Sequence, residues 1–378
     1  MHDIAIPQEM KPGDGRFGAG PSKVRPEALR ALADPARGAK LLGTSHRQAP
    51  VRELVGRVRS GVAALFGLPE GYEVVLGNGG TSAFWDMAVF CLVEERSAHA
   101  SFGEFSSRFA ERAAAAPFLA EPVVASSELG THPELLADDR VDAYALTHNE
   151  TSTGVQMAVE RPRTPSGEPA PGLVLVDATS AAGGLGVEAA EFDAYYFAPQ
   201  KCFGSDGGLW CACLSPAAIE RVERLAGGGA RFVPAFLDLR AALQSSRADY
   251  TVNTPAIATL FLFAEQLEWF NSNGGLGFSA ARCDASAAAV YSWAERSDVA
   301  EPFVKRPEDR SHTVATIDFR DSLDAGRLAA VLRQNGIVDT DPYRKLGRNQ
   351  LRIALFPSID PADVEALTAC IDYVVERL

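Results

Sequence analysis

The chain has 378 residues, 47% of them hydrophobic and 22% charged, which is the balance of an ordinary globular protein long enough for two cores. Its formal net charge of −13 gives a surface that repels nucleic acid and anionic membranes, so an anionic small substrate would need a local basic pocket built against that field. Six cysteines form no Cys-x-x-Cys pair and have no second ligand type at zinc spacing, so they read as reduced thiols and no metal site is expected.

The N-terminal Met1–Gly15 carries Asp3, Glu9 and Asp14 among prolines and has no apolar core, unlike a signal peptide. No apolar run approaches the ~20 residues needed to cross a bilayer. With reduced cysteines, this points to the cytoplasm.

The first apolar run, Val74–Leu76, leads into Gly77-Asn78-Gly79-Gly80-Thr81-Ser82 and a helical pattern over Ser82–Val93. A glycine turn feeding a helix N-terminus offers free N–H groups to a phosphate, although such turns are common in α/β folds. Phe102-Gly103-Glu104-Phe105 follows a further turn and supplies an aromatic for stacking or for the core. The strand Ala143–Thr147 opens into His148-Asn149-Glu150-Thr151-Ser152-Thr153-Gly154, which puts hydroxyls and amides at its carboxyl end or else makes a capped turn. Arg161–Gly172, with four prolines, is an exposed loop.

Leu173–Asp177, Tyr195–Ala198 and Gly208–Leu214 read as further strands, the last with Cys211 and Cys213 on one face; a helix over Pro216–Leu225 follows. Gly227-Gly228-Gly229 is a loop without the Gly-Lys-Ser/Thr of a nucleotide-binding turn. Asn253 and Thr254 precede Pro255, which is expected to open the helix over Ile257–Phe270 and make a second anion site. The alternation predicts an α/β fold with a mostly parallel sheet, whose ligands lie beyond the strands' carboxyl ends.

A domain change is expected at Asn271–Gly277. Beyond it lie a helix over Ala280–Arg296, a strand Thr313–Phe319, a helix Ala325–Gln334, a strand Leu351–Ala354 and a terminal helix capped by Asp360-Pro361. Together these make a small C-terminal α+β domain.

Asp177 ends one buried strand and Lys201 follows another, in Ala198-Pro199-Gln200-Lys201. A lysine amine can form a Schiff base with an aldehyde, and an acid can keep a pyridine nitrogen protonated, which is the logic of a pyridoxal 5'-phosphate (PLP) site. Taken alone, the two are better read as a strand cap and a solvated lysine. Cys202, beside the lysine, is the one cysteine with a claim to reactivity.

The order of these pieces resembles the phosphoserine aminotransferase family, within class V of the fold-type I PLP-dependent transferases. The matching motifs run from Arg16 to the C-terminus: Phe17-Gly18-Ala19-Gly20-Pro21, Ser45-His46-Arg47, Gly79-Gly80, Asn149-Glu150-Thr151, Asp177, Gln200-Lys201, Asn253-Thr254-Pro255 and Asn273-Gly274-Gly275. Each is common, but the full series in order is specific. The resemblance implies a large PLP-binding domain over 16–272 with a seven-stranded-type sheet, and a small domain over 273–378 with residues 1–15 packing near it or near the active site.

By the same resemblance Lys201 is the Schiff-base lysine and Asp177 the partner of the pyridine nitrogen. Gly80 and Thr81 match the phosphate turn, Phe105 the ring-stacking aromatic, and Thr151 and Gln200 further cofactor contacts. Asn253 and Thr254 are donated across a homodimer interface to the partner's cofactor. His46, Arg47 and Arg352 match substrate-binding positions, Arg352 gripping the α-carboxylate. Many members carry a His-Arg pair upstream of that arginine for the substrate phosphate; this chain has Tyr343-Arg344-Lys345, leaving Arg344 or Lys345 to take over. The implied reaction is transamination between L-glutamate and 3-phosphohydroxypyruvate in serine biosynthesis, with a role in pyridoxine biosynthesis left open. Alternatives are another class V enzyme, such as a serine– or alanine–glyoxylate aminotransferase or a cysteine desulfurase, and a non-catalytic α/β binding protein.

Overall fold

A computed structural model describes residues 4–227 and 231–378; Met1–Asp3 and Gly228–Ala230, including two glycines of the expected glycine loop, lie outside the described residues. The strands of the main sheet are β1 (Glu73–Gly79), β2 (Ser97–Ser101), β3 (Val123–Ser126), β4 (Ala143–Thr147), β7 (Leu173–Asp177), β8 (Ala194–Phe197) and β9 (Gly208–Leu214); a small hairpin, β5 (Asn149–Glu150) and β6 (Val155–Gln156), intervenes. Their order is β1-β9-β8-β7-β4-β2-β3. Only β9 runs against its neighbours, and the pairs from β8 to β3 are parallel.

Alternation along each strand divides the core between the two faces of this sheet. Val174, Val176, Cys211 and Cys213 join one cluster, under α2 (Ala49–Leu65) and α7 (Ile257–Ser272). Leu175, Trp210, Ala212 and Leu214 join the other, under α3 (Thr81–Cys91), α4 (Glu104–Ala115), α5 (Pro216–Gly227) and α6 (Leu239–Arg247). The shared face expected for Cys211 and Cys213 is present. All six cysteines are buried, and burial pushes the Cys202 thiol up, so that side chain is an inert packing group.

Near the N-terminus lies α1 (Pro26–Ala33). The C-terminal part comprises α8 (Gly275–Arg296), α9 (Ala325–Gln334), α10 (Pro361–Val375) and a three-stranded antiparallel sheet of β10 (Ala300–Pro302), β11 (Val314–Phe319) and β12 (Gln350–Ala354). Its separate core also takes in Ile6, Phe17 and Ala19. Asn335 ties the N-terminal segment down, accepting from Ile6 N at 2.9 Å and donating to Ile4 O at 2.8 Å. Asp360 caps α10 by accepting from Ala362 N, with Pro361 at the first helical position, as its sequence predicts.

Two expectations change. Pro255 does not open α7, whose cap residue is Ala256 without a side-chain bond, so Asn253 and Thr254 lie in the chain ahead of the helix and do not cap it. The glycine turn before α3 shrinks to Gly80, because β1 continues through Gly79.

Candidate active site

The carboxyl ends of the parallel strands converge on one cavity of about 460 Å³. Thr147 and Asp177 stand opposite each other in the register of β4 and β7. The chain leaving β8 brings Gln200 and Lys201 to the same place, and all four side chains line the cavity.

Asp177 is held as a fixed acceptor. Trp85 Nε1 donates to its Oδ2 at 2.9 Å, and the Thr179 amide and hydroxyl donate to its Oδ1 at 2.9 and 2.6 Å. Burial raises its pKa, against the pull of those bonds and of the Lys201 charge. The Thr179 hydroxyl also lies 2.7 Å from that of Thr81, which opens α3. The cap of α3, Gly80, makes no side-chain cap bond, so first-turn N–H groups of that helix face the cavity beside Thr81 and Ser82.

Lys201 is buried, and its Nζ donates to Thr151 Oγ1 at 2.7 Å. Thr151 in turn donates to Ser180 Oγ, which also accepts from Asn149 Nδ2. Burial draws the Lys201 amine down from 10.5 to about 8, partly offset by Asp177. The Phe17–Pro21 motif closes over it: Gly20 has φ +141°, and a Cβ there would lie 3.1 Å from Lys201 Cε.

The Asn149-Glu150-Thr151-Ser152 stretch splits its side chains by alternation. Asn149 and Thr151 face the cavity. Glu150 and Ser152 turn to α4, where the fully buried Glu150 carboxylate accepts from the amides of Phe105 and Ser106 at 3.0 and 2.9 Å. The Ser106 hydroxyl and the amide and hydroxyl of Ser152 complete its shell. Gly103 permits this, since a Cβ there would sit 2.3 Å from Glu150 Cγ. A buried acid at a helix N-terminus thereby sets the position of Phe105, whose ring lies with its centroid 5.2 Å from Lys201 Nζ.

Arg352, on β12, reaches the cavity from the other core. It stacks on Tyr343 at 5.3 Å, burial lowers its pKa, and Nη1 lies 3.4 Å from Thr151 O. Its Nε is buried without a partner among the described residues, as are Asn149 Oδ1 and Gln200 Oε1. A cavity with a fixed carboxylate, a buried lysine amine of lowered pKa, open helix N–H groups and unpaired buried polar atoms has the donor set that a phosphorylated pyridine aldehyde and an anionic substrate require.

Gly80, Thr81, Phe105, Thr151, Asp177, Gln200, Lys201 and Arg352 thus line one cavity. His46, Arg47, Asn253 and Thr254 do not; His46 Nδ1 lies 3.1 Å from Thr254 Oγ1. Arg344 is exposed and outside the cavity, in the turn Arg344–Leu346. Sequence reading does not single out Trp85, Thr179, Ser180, Tyr343 or Arg108. Trp85 carried a usable signal, four residues after Thr81 on one helix face, and Arg108 stands three after Phe105.

The aminotransferase class-V family model matches residues 16–340. The chain is 60% identical over 375 residues to a phosphoserine aminotransferase of a Nocardioides species, covering 99% of both chains. It is 58% identical to a putative phosphoserine aminotransferase of Mycolicibacterium paratuberculosis, covering 99% of this chain and 98% of that one. Among solved structures, a phosphoserine aminotransferase of Cytophaga hutchinsonii superposes with a TM-score of 0.85 at 23% identity, over 95% of this chain and 99% of that chain.

Proposed function

The chain belongs to the class-V aminotransferases, and from that premise we infer how its own residues carry out the reaction of its relatives. It is a phosphoserine aminotransferase: it exchanges an amino group between L-glutamate and 3-phosphohydroxypyruvate, giving O-phospho-L-serine and 2-oxoglutarate, the transamination of serine biosynthesis. The observation that carries the site assignment is the single cavity lined by both the Lys201 amine and the Asp177 carboxylate.

When bound, pyridoxal phosphate supplies an aldehyde with which an amine condenses and a ring that takes up the electrons left by a departing Cα proton. Thr81 and the N-terminus of α3 would hold its phosphate, Asp177 its ring nitrogen, and Thr151 and Gln200 its remaining polar atoms. Phe105, fixed through Glu150, would pack against its ring face. Trp85 and Thr179 keep Asp177 aligned as an acceptor. Lys201 Nζ, drawn down to about 8, would be placed to take the proton from the substrate's Cα, and its fraction of free amine grows as pH rises toward that value. Arg352 binds the α-carboxylate with its planar fork, which matches its buried, unpaired Nε.

His46, Arg47, Asn253 and Thr254 belong to this reading as residues lent to the cavity of a second copy in a homodimer. The contact of His46 with Thr254, and the place of all four outside the chain's own cavity, support that role. The division into units of 16–272 and 273–378 is likewise part of it, supported by the separate C-terminal core. A cytoplasmic setting accords with six unbridged cysteines, and among the described residues no helix is long and apolar enough to cross a membrane. A desulfurase would need a cysteine on an accessible loop, and all six are buried.

The test is a coupled assay of the PLP-loaded protein with glutamate and 3-phosphohydroxypyruvate, beside hydroxypyruvate and glyoxylate. We expect kcat/KM to be highest for the phosphorylated keto acid. Preference for glyoxylate would overturn the substrate assignment.

A further inference from the structure

Among the described residues three cations line the cavity, Lys201, Arg352 and Arg108, against the one acid Asp177. The reaction uses the first two, and nothing in the family motifs accounts for the third. Arg108 lies one helical turn beyond Phe105 on α4, so the element that carries the stacking aromatic also carries this guanidinium.

Its place is informative. Arg108 and Tyr343 line both this cavity and a second one opening beside it, whereas Gly80 and Thr81 line only the first. Arg108 therefore stands where the cavity opens outward, on the side of Tyr343 and its stacking partner Arg352, and not at the helix N-terminus assigned to the cofactor phosphate. It is held by Glu104, whose Oε1 accepts from Arg108 at 2.7 Å and also pairs with Lys345 from the turn before β12. The Arg108 and Lys345 side chains are 43% and 63% exposed, so this shared pair holds them weakly and leaves both free to turn toward an entering anion. Arg344 points to no such role, being outside both cavities.

Resting on the transaminase reading above, we propose that Arg108 is the specificity residue for the far anionic group of the substrate, binding the phosphate of phosphoserine or the γ-carboxylate of glutamate while Arg352 binds the α-carboxylate. Both amino donors carry an anionic group at each end of a short chain, and one fork serves either terminus because carboxylate and phosphate both accept bidentate N–H bonds. Glu104 is the resting counter-ion, and Lys345 adds charge at the opening. Beside the His46 and Arg47 lent by a second copy, this chain thus adds a basic group to the substrate pocket from a helix of the sheet domain, where its sequence lacks the family's His-Arg pair upstream of Arg352.

The experiment measures single-turnover kcat/KM of PLP-loaded enzyme with O-phospho-L-serine, L-glutamate, L-serine and L-alanine, for the wild type, Arg108→Gln and Arg108→Lys. In Arg108→Gln the ratio of phosphoserine to serine, and of glutamate to alanine, falls roughly 10- to 100-fold, mainly through KM, and Arg108→Lys recovers part of it. An unchanged ratio overturns the proposal. So does a selective loss of PLP affinity in a spectroscopic titration, which would assign Arg108 to the cofactor's phosphate. A wild-type enzyme inert to phosphoserine but active on serine would instead sink the substrate reading itself, a different and separable result.

Discussion

Beneath the floor of the cavity Glu150, turned to α4, is fully buried and has five donor groups within 3.1 Å, and on that floor Asp177 has both oxygens engaged; at the rim Glu104 divides one oxygen between two partly exposed cations. The floor is arranged in advance, so that the Phe105 ring and the Asp177 carboxylate need no rearrangement when a cofactor arrives. The rim keeps its charges in exchangeable pairs, which suits a site that must release one anion and admit another in each cycle. Rigidity and adjustability are therefore sorted by depth.

The most severe way to probe the floor is Lys201→Ala, expected to lower turnover by about 10,000-fold or more in the coupled assay and to abolish the imine absorbance of the loaded protein. Retained absorbance would break the assignment. Glu150→Ala removes the acceptor of two buried amides at the start of α4 and should cost about 3 kcal/mol in denaturant unfolding, with weaker PLP binding as Phe105 loses its anchor. A loss under about 1 kcal/mol would mean that the floor is less rigid than its hydrogen bonds suggest.

A pH series sharpens the same contrast. A lysine lowered from 10.5 to about 8 by burial is protonated, and so non-nucleophilic, below that pH. The rate at which the apoprotein takes up PLP should rise about tenfold per unit as pH increases toward 8 and then level off. An inflection near the ordinary lysine value would show the amine to be solvated. The smallest effect belongs to the rim: Glu104→Gln should shift stability by less than about 0.5 kcal/mol, while lowering KM for phosphoserine a few-fold by removing a competing anion. A stability loss comparable to that of Glu150→Ala would erase the distinction.

Much of the floor was legible in the sequence, because it lies at strand ends. Leu173–Asp177 and Ala143–Thr147 read to the residue from unbroken apolar runs, and the polar residues just beyond them had to fall at the carboxyl edge. β2 escaped notice because Ser97-Ala-His-Ala-Ser has no apolar run; its His99 is buried neutral, with a pKa lowered to about 3, beside Ser97. β3 is a four-residue edge strand with alternate residues exposed. Glu150 could not be assigned from sequence, since its partners on α4 lie more than forty residues away. The rim was hardest to read. Arg108 resembles any solvated helix arginine until the fold sets it against Tyr343.

Trp85 gives the molecule an optical handle. Of the four indoles, at positions 85, 210, 269 and 293, it alone borders the cavity, and its N–H ends on the carboxylate assigned to the pyridine nitrogen. Its emission should dim as a chromophore settles beside it, so occupancy can be followed by fluorescence without any label.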